Sequence, residues 1–228
     1  MKRLLAVVVG VAVVAGAAVA AFVLLSSAPN PVKEAAEITG HQRGADLIVS
    51  GEVAAGSDRR SVRGDGRLDL QGDRARLYLA SSAPGLEDAR GEGTISILVG
   101  PQVFERRRWV HDSPLPHGKR WLRRRLTGAV EKGNGTALVD PRRLLGALHD
   151  ATDVEKVGPD AIRGTPATRY RATVELDGRP VPVAVWIDRD GLVLRQDLRV
   201  RGASFSVFFD YRERPRIVEP AARFVVTR

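Results

Sequence analysis

Acid–base or metal chemistry needs histidines, carboxylates or thiols in convergent groups, and this chain offers few. Its four histidines are His41, His111, His117 and His149, and it has no cysteine. The densest grouping is His111, Asp112 and His117 in HDSPLPHG. Two imidazoles and a carboxylate would ligate a metal if that Pro-rich loop folded back, but no cysteine or ordered carboxylate set completes the site, and solvated loop histidines are commonplace. Asp188 and Asp190 have the spacing of paired acids, yet beside Gly191 they read as turn formers rather than as a general acid and base. No G-x-S-x-G elbow, Walker loop or H-E-x-x-H pair occurs. No catalytic residue, metal ligand or cofactor is therefore assigned, and the chain reads as non-enzymatic.

Two segments, FERRRWV and GKRWLRRRL, interleave arginine with Trp109 and Trp121. In a cytoplasmic protein that composition would suggest nucleic acid. Here Met1-Lys2-Arg3 precedes an uncharged run from Leu4 to Leu25, about the ~20 residues that span a bilayer. The run exceeds the ~7–15 apolar residues of a signal-peptide core, so an uncleaved anchor with Lys2 and Arg3 inside is preferred. Cleavage at Ala18-Val19-Ala20 is the alternative and would yield a secreted protein, whereas a site after Ala28 would put Pro29 first. Both routes export residues 26–228, which excludes nucleic acid as a partner. The net charge of +9, with arginine far outnumbering lysine, then suits anionic headgroups or acidic wall polymers.

The elements that must position any site are strands. Residues 1–25 form the anchor, and 26–39 a Pro-broken linker that turns helical near Val32–Ile38. Residues 40–228 form a domain punctuated by Gly-containing turns at strand-like intervals. Asp177-Gly178 and Asp190-Gly191 are favoured two-residue hairpin turns. The two-residue strand period then collects Tyr170, Ala172, Val174 and Leu176, then Val181, Val183, Val185 and Ile187, on one face. Leu192, Leu194, Gln196, Leu198 and Val200 follow, and Phe205, Val207, Phe209 and Tyr211 complete it. Arg169, Arg171, Arg195, Asp197 and Arg199 line the opposite face, where Trp186 is expected beside Arg195 in a cation–π contact. Leu68, Leu70, Ala75, Leu77 and Leu79 repeat the alternation around Gly72-Asp73. Asp140 as N-cap and Pro141 at the first helical position open a helix whose Leu144, Leu145 and Leu148 form one stripe. Laid over the apolar face, this helix either closes a solid core or roofs a hollow.

The order DPRRLLGAL, DVEKVGPDAIRGTPATRYRATVEL, VPVAVWIDRDGLVLRQ, SFSVFFDYRERPRIVEPA resembles the actinobacterial LprG/LppX-type envelope proteins, part of the wider group related to the LolA and LolB lipoprotein carriers. The resemblance covers roughly residues 40–228. It implies an α+β, mainly antiparallel fold: a curved, unclosed β-barrel (LolA-like half-barrel) with helices over its concave apolar face, where such proteins hold acyl chains. On that reading Val183, Val185, Ile187, Leu194, Leu198, Val207 and Phe209 line a cavity from the sheet. Leu144, Leu145 and Leu148 face them, and the partner is a lipid or acylated ligand at a membrane. The chain lacks the lipidation cysteine of that family's lipoproteins, so attachment falls to residues 4–25 or is absent. The rival reading is an envelope signalling or scaffolding ectodomain that binds another protein and stores no lipid.

Overall fold

The computed structural model describes residues 29–55, 58–82, 93–108, 115–116, 118–132, 137–200 and 202–227. The chain divides into two units, Met1–Asn30 and Pro31–Arg228, and every described helix and strand belongs to the second. Helix α1 (Pro31–Gly40) opens it with Pro31 at its first turn, and buries Val32, Ala35, Ala36 and Thr39, the i, i+3, i+4, i+7 stripe of an amphipathic helix. Six strands follow: β1 (Gly44–Ala55), β2 (Asp58–Asp69), β3 (Arg74–Ser82), β4 (Gly93–Val99), β5 (Gln102–Arg108) and β6 (Trp121–Arg125). A small pair, β7 (Val130–Lys132) and β8 (Ala137–Val139), leads into α2 (Pro141–Gly146) and a 3-10 turn over Ala147–Asp150. The second half is a meander of β9 (Thr152–Ile162), β10 (Thr165–Leu176), β11 (Arg179–Asp188), β12 (Val193–Val200) and β13 (Ala203–Arg212), with β14 (Val225–Thr227) last.

Twelve of these strands make one sheet in the order β14-β6-β5-β4-β3-β2-β1-β13-β12-β11-β10-β9. The halves join where β1 pairs antiparallel with β13, and the edge strands β9 and β14 do not meet, so the sheet is open. Only β14 runs parallel to its neighbour, β6. The curvature follows from what the helices touch. In a flat sheet β3 and β12, four spacings apart in this order, would be separated by roughly 19 Å. Yet the six-residue α2, about 9 Å long, contacts β3 and accepts a hydrogen bond from Gln196 of β12 on the Leu144 carbonyl. Curling of the sheet around the helix brings both contacts within reach. α1 lies against β11 and β12 on the same side.

Local chemistry fixes both helices. Asp140 caps α2 as its spacing predicts, accepting from Arg142 N at 3.1 Å. The Arg142 guanidinium also grips the Asp140 carboxylate at 2.9 and 2.8 Å and donates to the carbonyls of Asp73 (2.7 Å) and Gly100 (3.0 Å) in the turns of the amino-terminal half. Burial works against its charge, but the carboxylates of Asp140 and Asp73 outweigh that and hold the guanidinium above its ordinary value. α1 is tied at its end: Thr39 Oγ1 accepts from Val193 N at 3.1 Å, and the Tyr211 hydroxyl donates to the Val193 carbonyl at 2.5 Å. Among the described residues no helix is long and apolar enough to cross a membrane, and the run Leu4–Leu25 lies outside them.

Candidate functional site

The inner face is built by cross-strand register. One row runs Tyr170–Val185–Gln196–Val207–Val49 across β10, β11, β12, β13 and β1. The next runs Ala172–Val183–Leu198–Phe205–Gly51. Gly51 is required there, because a Cβ would stand 2.7 Å from Phe205 Cδ1 and closer still to the Ser204 carbonyl. From the other half Leu47, Val62, Leu68, Ala75, Leu77, Leu79, Leu98 and Val103 turn inward to the same cluster, and the helices contribute Val32, Ala35, Leu144, Leu145 and Leu148. One continuous apolar surface thus runs from β5 to β10 beneath two short helices.

Nine of the ten residues expected to line this face are in that cluster, none more than 7% exposed: Val183, Val185, Ile187, Leu198, Val207 and Phe209 from the sheet, with Leu144, Leu145 and Leu148 opposite. Such burial means that the helices rest directly on the strands. Leu194 is the exception. The Asp190-Gly191 hairpin is not a two-residue turn: Asp188 pairs with Leu192 around a three-residue loop, with Gly191 N–H donating to the Asp188 carbonyl and Gly191 at φ +81. Asp188 Oδ1 stabilises the loop by accepting from Asp190 N and Leu192 N, so these acids are turn formers as their spacing suggests. The longer loop shifts the pairing to Ile187↔Val193, and a bulge restores Trp186↔Arg195 one step later. Leu194 is the extra residue, so Val193 points inward and is wholly buried, while Leu194 joins Ile162, Ala167 and Trp186 in a separate cluster on the outer face. Leu192 likewise drops out of the inner set. The Asp177-Gly178 turn, with both residues at positive φ and Leu176 opposite Arg179, is the two-residue hairpin its sequence predicts.

The outer face is a lattice of guanidinium and aromatic groups. Arg195 stacks over Trp186 at 4.5 Å, as its register predicts, and over Phe208 at 4.9 Å, while Arg169 covers Trp186 at 5.0 Å. Trp186 Nε1 donates to Asp160 at 2.7 Å, and that bond lowers the Asp160 carboxyl below its ordinary value, helped by the Ala161 backbone. Beside this lattice lies a groove of about 690 Å³ between Ile48, Phe208, Arg163, Arg216 and Ile217. Of the arginine–tryptophan segments, Trp121 packs against Ile97, Phe104 and Ile217, and Arg124 pairs with Glu105 at 2.9 Å; neither is spare for a headgroup. Trp109, His111, Asp112 and His117 lie outside the described residues. Among the described residues no three His, Cys, Asp or Glu side chains converge as a metal site.

Sequence parity missed Val193, because a loop one residue longer and a compensating bulge leave no mark in the alternation. It found Gln196 on the inner face without a role for it. The structure gives it one: Nε2 donates to the Leu144 carbonyl at 3.1 Å, joining sheet to helix.

An open, curved antiparallel sheet with its apolar side covered by short helices is the form the sequence order suggested. The chain is similar in structure to LppX, a lipoprotein of Mycobacterium tuberculosis (TM-score 0.49, 14% identity, covering 83% of this chain and 96% of that one). It is also similar to LprF from Mycobacterium bovis (0.48, 11%, 83% and 94%) and to a putative outer membrane lipoprotein-sorting protein domain from Vibrio parahaemolyticus (0.32, 14%, 82% and 94%). No protein-family model matches the sequence, and neither does any curated protein.

Proposed function

We propose that residues 40–228, together with helix α1, form a non-enzymatic cell-envelope domain that binds a lipid or lipidated ligand between the curved sheet and its helices, for carriage, presentation or sensing, with residues 1–25 as an export and anchoring segment. The observation that carries this reading is the disproportion between the apolar face and its cover. Nine strands, β1 to β5 and β10 to β13, send buried residues to the inner side, whereas the cover is one helix of ten residues, one of six with the 3-10 turn that follows it, and the small β7–β8 pair. Acyl chains are the natural complement to so broad an apolar trough, since burying apolar area is favourable by about 25 cal/mol per Å². The helices close over the inner residues, so binding requires α2 to lift from β12. Val183, Val185, Ile187, Val193, Leu198, Val207 and Phe209 are then the sheet side of the seat, and the exported, basic surface supplies contact with anionic headgroups. Full-length protein purified from its native membrane and extracted with organic solvent should release acyl lipid at a substantial fraction of molar equivalence. Finding none, together with no uptake of a fluorescent fatty acid, overturns the reading.

The complete burial of Val185 and Val207 favours a second reading, a filled core whose work is done outside. The groove beside Ile48 and Phe208 would then engage another envelope protein. The same extraction separates the two.

A further inference from the structure

Among the described residues of β9 to β13, Gln196 is the one buried side chain that is polar. It stands mid-row between Val185 and Val207, both without exposed surface, and under Leu144 of the covering helix. Its Nε2 is used in the bond to the Leu144 carbonyl, but its Oε1 is buried and has no hydrogen-bond partner. A buried acceptor left unpaired bears its desolvation cost in full, and native proteins pair nearly all such atoms. Methionine would fill the same space without that cost. The bond to one helix carbonyl accounts for the amide nitrogen and leaves the oxygen unexplained.

We infer that Gln196 Oε1 is the acceptor for a hydroxyl or amide N–H carried among the acyl chains of the ligand, so the domain selects lipids with a donor buried in their apolar part over plain hydrocarbon chains. This rests on the lipid-binding reading above. Lifting α2 to admit a chain exposes the amide to the ligand at mid-sheet, well away from any headgroup at the rim. A donor at the matching depth completes the orphaned oxygen. A plain chain at that position leaves it orphaned.

The test uses ligand-stripped full-length protein and competition against a fluorescent fatty acid, with stearic acid and a series of monohydroxystearic acids whose hydroxyl sits at successive carbons. At least one isomer should bind about three- to ten-fold more tightly than stearate, the range expected of one net hydrogen bond. The preference should vanish in Gln196→Met, a result that loss of the helix contact alone would not produce, since that would ease the lifting of α2 for every chain alike and leave the ranking of the isomers intact. A wild-type series with no isomer better than stearate overturns the inference and leaves lipid binding standing, as does a preference that survives in Gln196→Met. Failure of the fluorescent fatty acid to bind at all overturns both. The wild-type series decides the matter even if the variant does not fold.

Discussion

Replacing Arg142 by alanine tests whether the cover is clamped to the sheet by one buried cation. The side chain is 9% exposed and the Asp140 carboxylate not at all. The guanidinium makes two short bonds to that carboxylate and one each to the Asp73 and Gly100 carbonyls. The accompanying ion pair to Asp73 is two-thirds exposed on the acid's side and adds little. Removing one partner of a buried pair typically costs about 3–5 kcal/mol, because the other charge stays desolvated. Asp140 keeps its cap bond from the backbone of residue 142, which places the expected loss near 3 kcal/mol, a large share of a total stability of about 5–15 kcal/mol. Deleting both partners removes the stranded charge, so Asp140→Ala/Arg142→Ala should lose less than Arg142→Ala alone, about 1–2 kcal/mol for the missing cap, since water reaches the Asp73 and Gly100 carbonyls in their surface turns. Urea unfolding of the three proteins, at an unchanged slope m, reads the difference directly. A single variant within about 1 kcal/mol of wild type, well short of the buried-pair cost, or a double variant worse than the single, would refute the clamp.

Val185→Trp enlarges a wholly buried side chain beneath the helices, so the stripped variant should lose about the 1–3 kcal/mol of core overpacking in urea; on the lipid reading its acyl capacity also falls sharply, whereas no lipid in either protein marks a solid interior. Gly191→Ala should cost about 1–2 kcal/mol, since the residue sits at φ +81 and a Cβ would lie 2.6 Å from Ile38 Cδ1 of α1. Gly146→Ala, in helical backbone with open space around it, should instead gain roughly 0.5–1 kcal/mol, and equal effects of the two changes would contradict the turn geometry. Burial raises the Tyr211 hydroxyl well above the usual tyrosine range, so the folded chain keeps a proton that the unfolded chain releases near pH ~10. The stability that depends on this is intact below pH ~10 and falls above it by up to ~1.4 kcal/mol per pH unit. Tyr211→Phe lacks that fall, so its stability gap to wild type should narrow in alkaline unfolding series and stay constant below pH ~10.

Strand alternation and two Asp-Gly turns were enough to place the inner face, because in a half-buried sheet a slip of one residue would turn Val183, Val185, Val207 and Phe209 to water together. Asp140-Pro141 was enough to start α2, since cap chemistry is local. Trp186 beside Arg195 followed from register alone. The sequence left other features undetermined, one because two local irregularities cancel and the rest because they depend on partners distant along the chain. Leu194 turned outward because a three-residue loop and a bulge cancel within five residues, and both depend on Asp188 bonding across the turn. The pairing of β1 with β13, which joins the halves into one open sheet, has no local signal: either strand could pair with any edge of matching pattern. The bonds from Arg142 to the turns at Asp73 and Gly100, and from Gln196 to Leu144, span 69, 42 and 52 residues. An arginine after a cap and a glutamine in a strand read as solvated or incidental until curvature brings their partners within reach. The cover's grip and the one unpaired oxygen beneath it are therefore products of tertiary structure, set by how far the sheet bends.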